Sequence, residues 1–126
     1  MNAEPATYTA PTGVDIELLE ETLLGAFHAL RDALASGRPA IAVVRDADVL
    51  GHGDAADAAL ANALVGLVRA LATEGTRDGW MVNALAVPDD VDPDGASVWI
   101  DRLAHANGLT GGLVRLGDLH LGRVPS

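Results

Sequence analysis

Cysteine and lysine are both missing from this chain. The first absence excludes disulfides, thiolate nucleophiles and Cys-ligated zinc, and the second excludes a Schiff base or any lysine-based catalysis. Aromatic residues are scarce: Tyr8, Phe27, Trp80 and Trp99 are all there are, so the core has to be built from aliphatic side chains and alanine. Positive charge is short as well, with eight Arg against eighteen Asp and Glu and a net charge of −10. Nucleic acid and anionic membrane surfaces are polyanions, so both are disfavoured as partners. No apolar run is expected to span a bilayer, and the N-terminus lacks the basic-then-apolar pattern of a signal. The expectation is a soluble, cytoplasmic protein.

What is present is organised around residues 54–74, DAADAALANALVGLVRALATE. At 3.6 residues per turn this reads as one helix of about six turns, apolar on nearly every side. So short a chain, a single domain of 126 residues, has few layers with which to cover both faces of such a helix. One face is therefore expected on its own domain and the other on a second subunit, with Ala59, Ala63 and Gly66 letting a partner backbone come close. An Ala-rich helix buried wholly within one domain is the plainer alternative.

The rest alternates. Residues 1–13 (MNAEPATYTAPTG) form an extended arm, whose spacing of Ala6, Tyr8 and Ala10 suits a short edge strand as well as it suits disorder. Residues 14–126 form the domain. Asp15 caps a helix running to Ser36, with Ile16, Leu19, Leu23, Phe27, Leu30 and Leu34 on one stripe and Gly37 as its stop. Continuous apolar runs near residues 40–45, 80–87 and 112–117 read as parallel strands covered on both faces. DADVLGHG (46–53) and PDDVDPDG (88–95) read as loops. A third helix over about 97–107 would turn Val98, Trp99, Leu103 and Ala106 inward. The alternation of helix and strand implies right-handed crossovers and a parallel sheet.

ALVGLVRALATEGTRDGWMVNALAV, from Ala63 to Val87, resembles the later part of a short-chain dehydrogenase/reductase (SDR) of the 3-oxoacyl-ACP-reductase-like kind. In that family the helix carrying Tyr-x-x-x-Lys runs into a Gly-containing loop and a V-N-A-V-A-P-G strand. TLLGAFHAL resembles the family's N-L-x-G-x-F helix, and LTGGLVRL the last strand after an I-T-G-Q turn. The likeness covers roughly Leu18 to Pro125. It implies an α/β fold: a truncated, Rossmann-like half with a small sheet of about three parallel strands flanked by helices. It also implies an interface made of the two helices, through Leu23, Phe27, Ala59, Ala63, Gly66 and Leu67, in a homo-oligomer or with a full-length SDR subunit.

The functional residues of the family do not carry over. By the match, its Asn, Ser, Tyr and Lys positions are Thr22, Asp46, Asp57 and Ala61. No G-x-x-x-G-x-G loop follows a strand, so no dinucleotide cofactor is expected; Gly51-His52-Gly53 and Gly111-Gly112 lack that context. Gly117-Asp118-Leu119 stands where the family has D-G-G. Two functions remain in view. One is a non-catalytic SDR-like subunit kept for assembly. The other is a small cofactor-independent isomerase, cyclase or lyase using Asp46, His52 and Asp57 as an acid/base or cation-binding cluster beside Asp48 and Asp54. An acidic loop stabilised by a helix N-terminus explains the same residues without chemistry. No metal is expected. His28, His105 and His120 read as surface, interface or packing residues, and Arg69 and Arg102 as solvated.

Overall fold

The computed structural model describes residues 4–117. Asp118, Leu119 and His120 lie outside them, as does the rest of the closing segment. The elements in order are β1 (Ala6–Thr9), a 3₁₀ turn (Ile16–Leu18), α1 (Leu19–Ala35), β2 (Ala40–Arg45), α2 (Asp46–Val49), α3 (Ala55–Glu74), a second 3₁₀ turn (Thr76–Asp78), β3 (Val82–Val87), α4 (Pro93–Ala104) and β4 (Leu113–Arg115).

The four strands make one all-parallel sheet in the order β1-β2-β3-β4. The expected α/β class and parallel sheet hold, with one strand more than the three expected. The extra strand comes from the N-terminal arm, where Ala6 pairs with Ala40 and Thr9 with Val43. Pairing satisfies the backbone groups along the edge of β2, which would otherwise lie open.

Small residues on the sheet and large ones on the helices divide the core. Ala40, Ala42, Val44, Val82, Ala84 and Ala86 face α1 and α3, which supply Leu30, Leu34, Leu60, Leu64, Val68 and Leu71. Each such leucine contributes about 1.5–3 kcal/mol on burial. The opposite face, with Ile41 and Leu85, is covered by Leu103 and Ala104 of α4. Strand order equals chain order, so every crossover steps the same way across the sheet. With α4 on the other face from α1 and α3, the third crossover takes the opposite hand to the first two. The three cannot all be right-handed, as alternation alone implied.

Other boundaries move for local reasons. The first helical turn is 3₁₀, so Ile16 leaves the inward stripe and is 62% exposed. A one-turn helix, α2, occupies part of the loop at 46–53. α4 begins at Pro93, capped by the Asp92 carboxylate on the Gly95 N–H at 2.7 Å. Proline lacks the donor that the first turn leaves unused, so what reads as an irregular acidic stretch is a helix start. That start places Ile100, Leu103 and Ala104 inward, whereas Val98 and Trp99 are exposed and Arg102 lies over the Trp99 ring at 5.0 Å.

Contrary to the expectation that no run approaches a membrane span, α3 is long and apolar enough by length and composition. Its packed side nevertheless seats Leu60, Leu64, Val68 and Leu71 in the domain core, as a core helix does.

Candidate functional site

The acidic cluster lies at the carboxyl ends of the strands, the end at which parallel α/β sheets bind ligands. Asp46 directly follows β2 and is buried. Both of its oxygens accept from Arg115 at the end of β4, Oδ1 from Nε at 2.6 Å and Oδ2 from an Nη at 2.9 Å. The bond to Asp46 holds the Arg115 guanidinium above its ordinary pKa.

Asp57 sits in the first turn of α3, behind the Asp54 cap that accepts from the Ala56 N–H at 2.7 Å. It is also buried, and its two oxygens accept the backbone N–H groups of Val14 and Gly13, each at 2.9 Å. Those bonds favour the ionised form and keep the Asp57 carboxyl below its usual pKa. Asp57 thus ties the arm to the long helix.

The other family positions are equally occupied by structure. Ala61 is buried among Val44, Leu60, Leu64 and Ala86, a setting in which an ammonium would have no partner. Thr22 is half-buried on α1. His52 is exposed on the loop before α3, with no ring hydrogen bond among the described residues. Among the described residues no hydrogen bond joins Asp46, His52 and Asp57 to one another. No group of three or more His, Asp or Glu side chains that could hold a metal occurs among the described residues.

Sequence reasoning placed Asp48 in the cluster without a reason to single it out, and it gave no role to Arg45, Asp89 or Arg115. Asp48 is buried, and its Oδ1 has no hydrogen-bond partner among the described residues. Desolvation pushes its carboxyl above the usual value, with Arg45 opposing. Arg45 itself holds Asp89 through two bonds of 3.1 and 3.0 Å.

The expected interface residues divide. Ala59 and Gly66 are exposed; Ala63 is half-buried. Leu23, Phe27 and Leu67 are half-buried because they also pack on the chain's own core. A cleft of about 640 Å³ between Leu34, Arg38, Trp80 and Asn107 lies at the amino ends of the strands, away from all these groups.

A dinucleotide does not fit the carboxyl end of the sheet. The N–H groups of Gly13 and Val14 precede the first helical segment, where they would meet a phosphate, and they are already bonded to Asp57. Asp15 follows in the same turn, the next turn carries Asp54 at the start of α3, and the last carries Asp90 and Asp92. Carboxylates so placed repel a pyrophosphate.

No protein-family model matches the sequence, and no curated protein is significantly similar. Solved structures are. An NADH-dependent reductase complexed with NAD superposes with a TM-score of 0.59 at 20% identity, over 91% of this chain and 62% of that one. A type-2 3-hydroxyacyl-CoA dehydrogenase from Mycobacterium avium gives 0.53 at 18%, over 80% and 53%. The promiscuous reductase LugOII, which catalyses keto-reduction at C1 during lugdunomycin biosynthesis, gives 0.54 at 16%, over 86% and 57%. The chain spans between 53% and 62% of the length of these structures. With the strand order and helix placement above, they bear out the resemblance read from the helix and strand motifs: the chain has the fold of part of a short-chain dehydrogenase/reductase.

Proposed function

We propose that this chain is a non-catalytic, SDR-like subunit that assembles through α1 and α3, with a second copy or with a full-length family member. The observation that carries this reading is the state of the carboxylates at the family's Ser and Tyr positions. Both oxygens of Asp46 and both of Asp57 are committed to structural partners. Both side chains are also buried, whereas a general acid or base must reach the proton it transfers. The alternative of a small cofactor-independent enzyme using Asp46, His52 and Asp57 has no comparable observation in its favour.

Assembly is supported from α3. A glycine inside a helix costs about 1 kcal/mol relative to alanine. Gly66 bears that cost without an internal reason, because an added Cβ meets nothing within 4 Å. A partner backbone at close range supplies one. Leu24 of α1, at 54% exposure, adds apolar surface to the helix pair's outer side.

Light scattering behind size exclusion tests the reading. The wild-type chain should run as a dimer or larger, or co-purify from its native lysate with an SDR-fold reductase. Gly66→Arg should break that assembly while far-UV circular dichroism stays unchanged, since the site is open within the chain. A stable wild-type monomer at micromolar concentration, with no such reductase co-purifying, would overturn it.

A further inference from the structure

Arg45 stands between two carboxylates with unequal need of it. Its Nε and one Nη bond the oxygens of Asp89 at 3.1 and 3.0 Å. Its other Nη lies 3.7 Å from Oδ1 of Asp48, beyond hydrogen-bond reach. The Asp89 side chain is 68% exposed and that of Asp48 only 5%. An exposed ion pair contributes little to stability, whereas an ionised buried carboxylate without a donor is costly. The guanidinium is thus engaged with the partner that needs it less. That arrangement is expected when Asp48 carries a proton, because a neutral carboxyl makes no demand for a cation.

Among the described residues, Arg45 is the one positive charge acting on Asp48. Asp54 and Asp57 of the α3 start and Asp89 of the loop after β3 are all acidic neighbours acting on it. Asp46, on its own short helix, is committed to Arg115, and His52 on the loop that follows is exposed. Beyond this pair, the segment at 88–92 is tied by a local turn, Val91 N–H to Pro88 O at 3.1 Å, and by the Asp92 cap of α4.

We propose that Asp48 is a proton-operated latch on the loop after β3. With Asp48 protonated, Arg45 clamps Asp89 and holds residues 88–92 against the carboxyl end of the sheet. When Asp48 ionises, Arg45 is drawn inward to its Oδ1 and releases Asp89, so the loop loosens. The sign follows from burial: rising pH removes the proton, and the freed charge competes for the guanidinium.

Amide exchange and the Arg45 Nε–H resonance, followed by NMR across the range in which Asp48 titrates, test this in the full chain. In the wild type, protection of residues 89–91, corrected for intrinsic exchange, should fall as pH rises, about tenfold for each pKa unit of coupling between ionisation and release. The Arg45 Nε–H signal should move with the same midpoint. Asp48→Asn should abolish both changes and keep the loop protected throughout. Asp89→Asn, at an exposed position, should leave the loop unprotected at every pH while the helices exchange as in the wild type. Wild-type protection that does not vary with pH, or a pH response that survives in Asp48→Asn, overturns the proposal.

Discussion

Replacing Asp57 by Asn separates an anchor from a catalyst. The wild-type carboxylate accepts two backbone N–H groups at 2.9 Å, from Gly13 and Val14. An amide of the same shape has one oxygen to offer and turns an NH₂ toward the second donor. The charge assistance of both bonds is lost, and one of the two partly buried N–H groups is left without an acceptor. With hydrogen bonds to charged groups contributing about 1.5–3 kcal/mol each, the variant should lose roughly 2–4 kcal/mol. That corresponds to a fall in Tm of very roughly 8–16 °C at about 4 °C per kcal/mol. The pH dependence has a definite sign. Asp57 titrates below its ordinary 3.8 in the folded state because its ionised form is bonded. The folded chain therefore binds fewer protons at this group than the unfolded chain does. The stability it contributes is present above the unfolded value and is lost as pH falls through the lowered one. Urea unfolding followed by circular dichroism, at neutral pH and down the acid limb, measures both effects. Asp57→Asn should be less stable at neutral pH and should show a flatter acid limb. A variant within about 0.5 kcal/mol of the wild type, with the acid limb intact, would refute the anchor.

Three further outcomes follow from the same geometry. Arg115→Ala leaves Asp46 buried and uncompensated, which should cost about 3–5 kcal/mol, and adding Asp46→Leu in the same chain should recover most of it; equal losses in the single and double variants would contradict the pairing. Gly75→Ala drives a methyl into the Trp80 ring, so urea unfolding should show a loss of about 1–3 kcal/mol from overpacking, with a change in Trp fluorescence. Isothermal calorimetry of the chain with NAD(H) or NADP(H) should show no saturable heat, because the turn N–H groups are taken by Asp57 and the neighbouring turns are acidic; micromolar binding would show that reasoning to be wrong.

The sheet and its two large helices were legible because their signals are local. A continuous apolar run such as Ile41 to Val44, or a six-turn aliphatic helix, declares itself within its own window. The fourth strand was ambiguous for the opposite reason: ATYT holds only four residues, and what makes it a strand is pairing with residues more than thirty positions away. The first residue of α4 was hidden by a proline that breaks a helix anywhere but at its start. In the site, the match placed Asp46 and Asp57 at informative positions but not their partners. Arg115 is 69 residues from Asp46, and Gly13 is 44 from Asp57. Nothing in LTGGLVRL distinguishes an arginine that neutralises a buried carboxylate from one that faces water, so the cluster read as possible chemistry although the oxygens of Asp46 and Asp57 are bonded within the chain.

The position of α4 on the far side of the sheet bears on the order in which the chain folds. From β1 to β3 the chain repeats one motion, strand to helix to neighbouring strand, and each step closes on what has just been laid down. After β3 it must pass through residues 88–92 to the other side, where α4 can bury Ile100 and Leu103 only against a β2–β3 surface that already exists. The nucleus is therefore expected in residues 6–87, with α4 and β4 docking last. Core truncations in α3 should slow folding, whereas Leu103→Ala should act mainly by speeding unfolding. A protein built this way can loosen its last third, the part that begins with the Asp89 loop, while the slab formed by α1 and α3 stays intact.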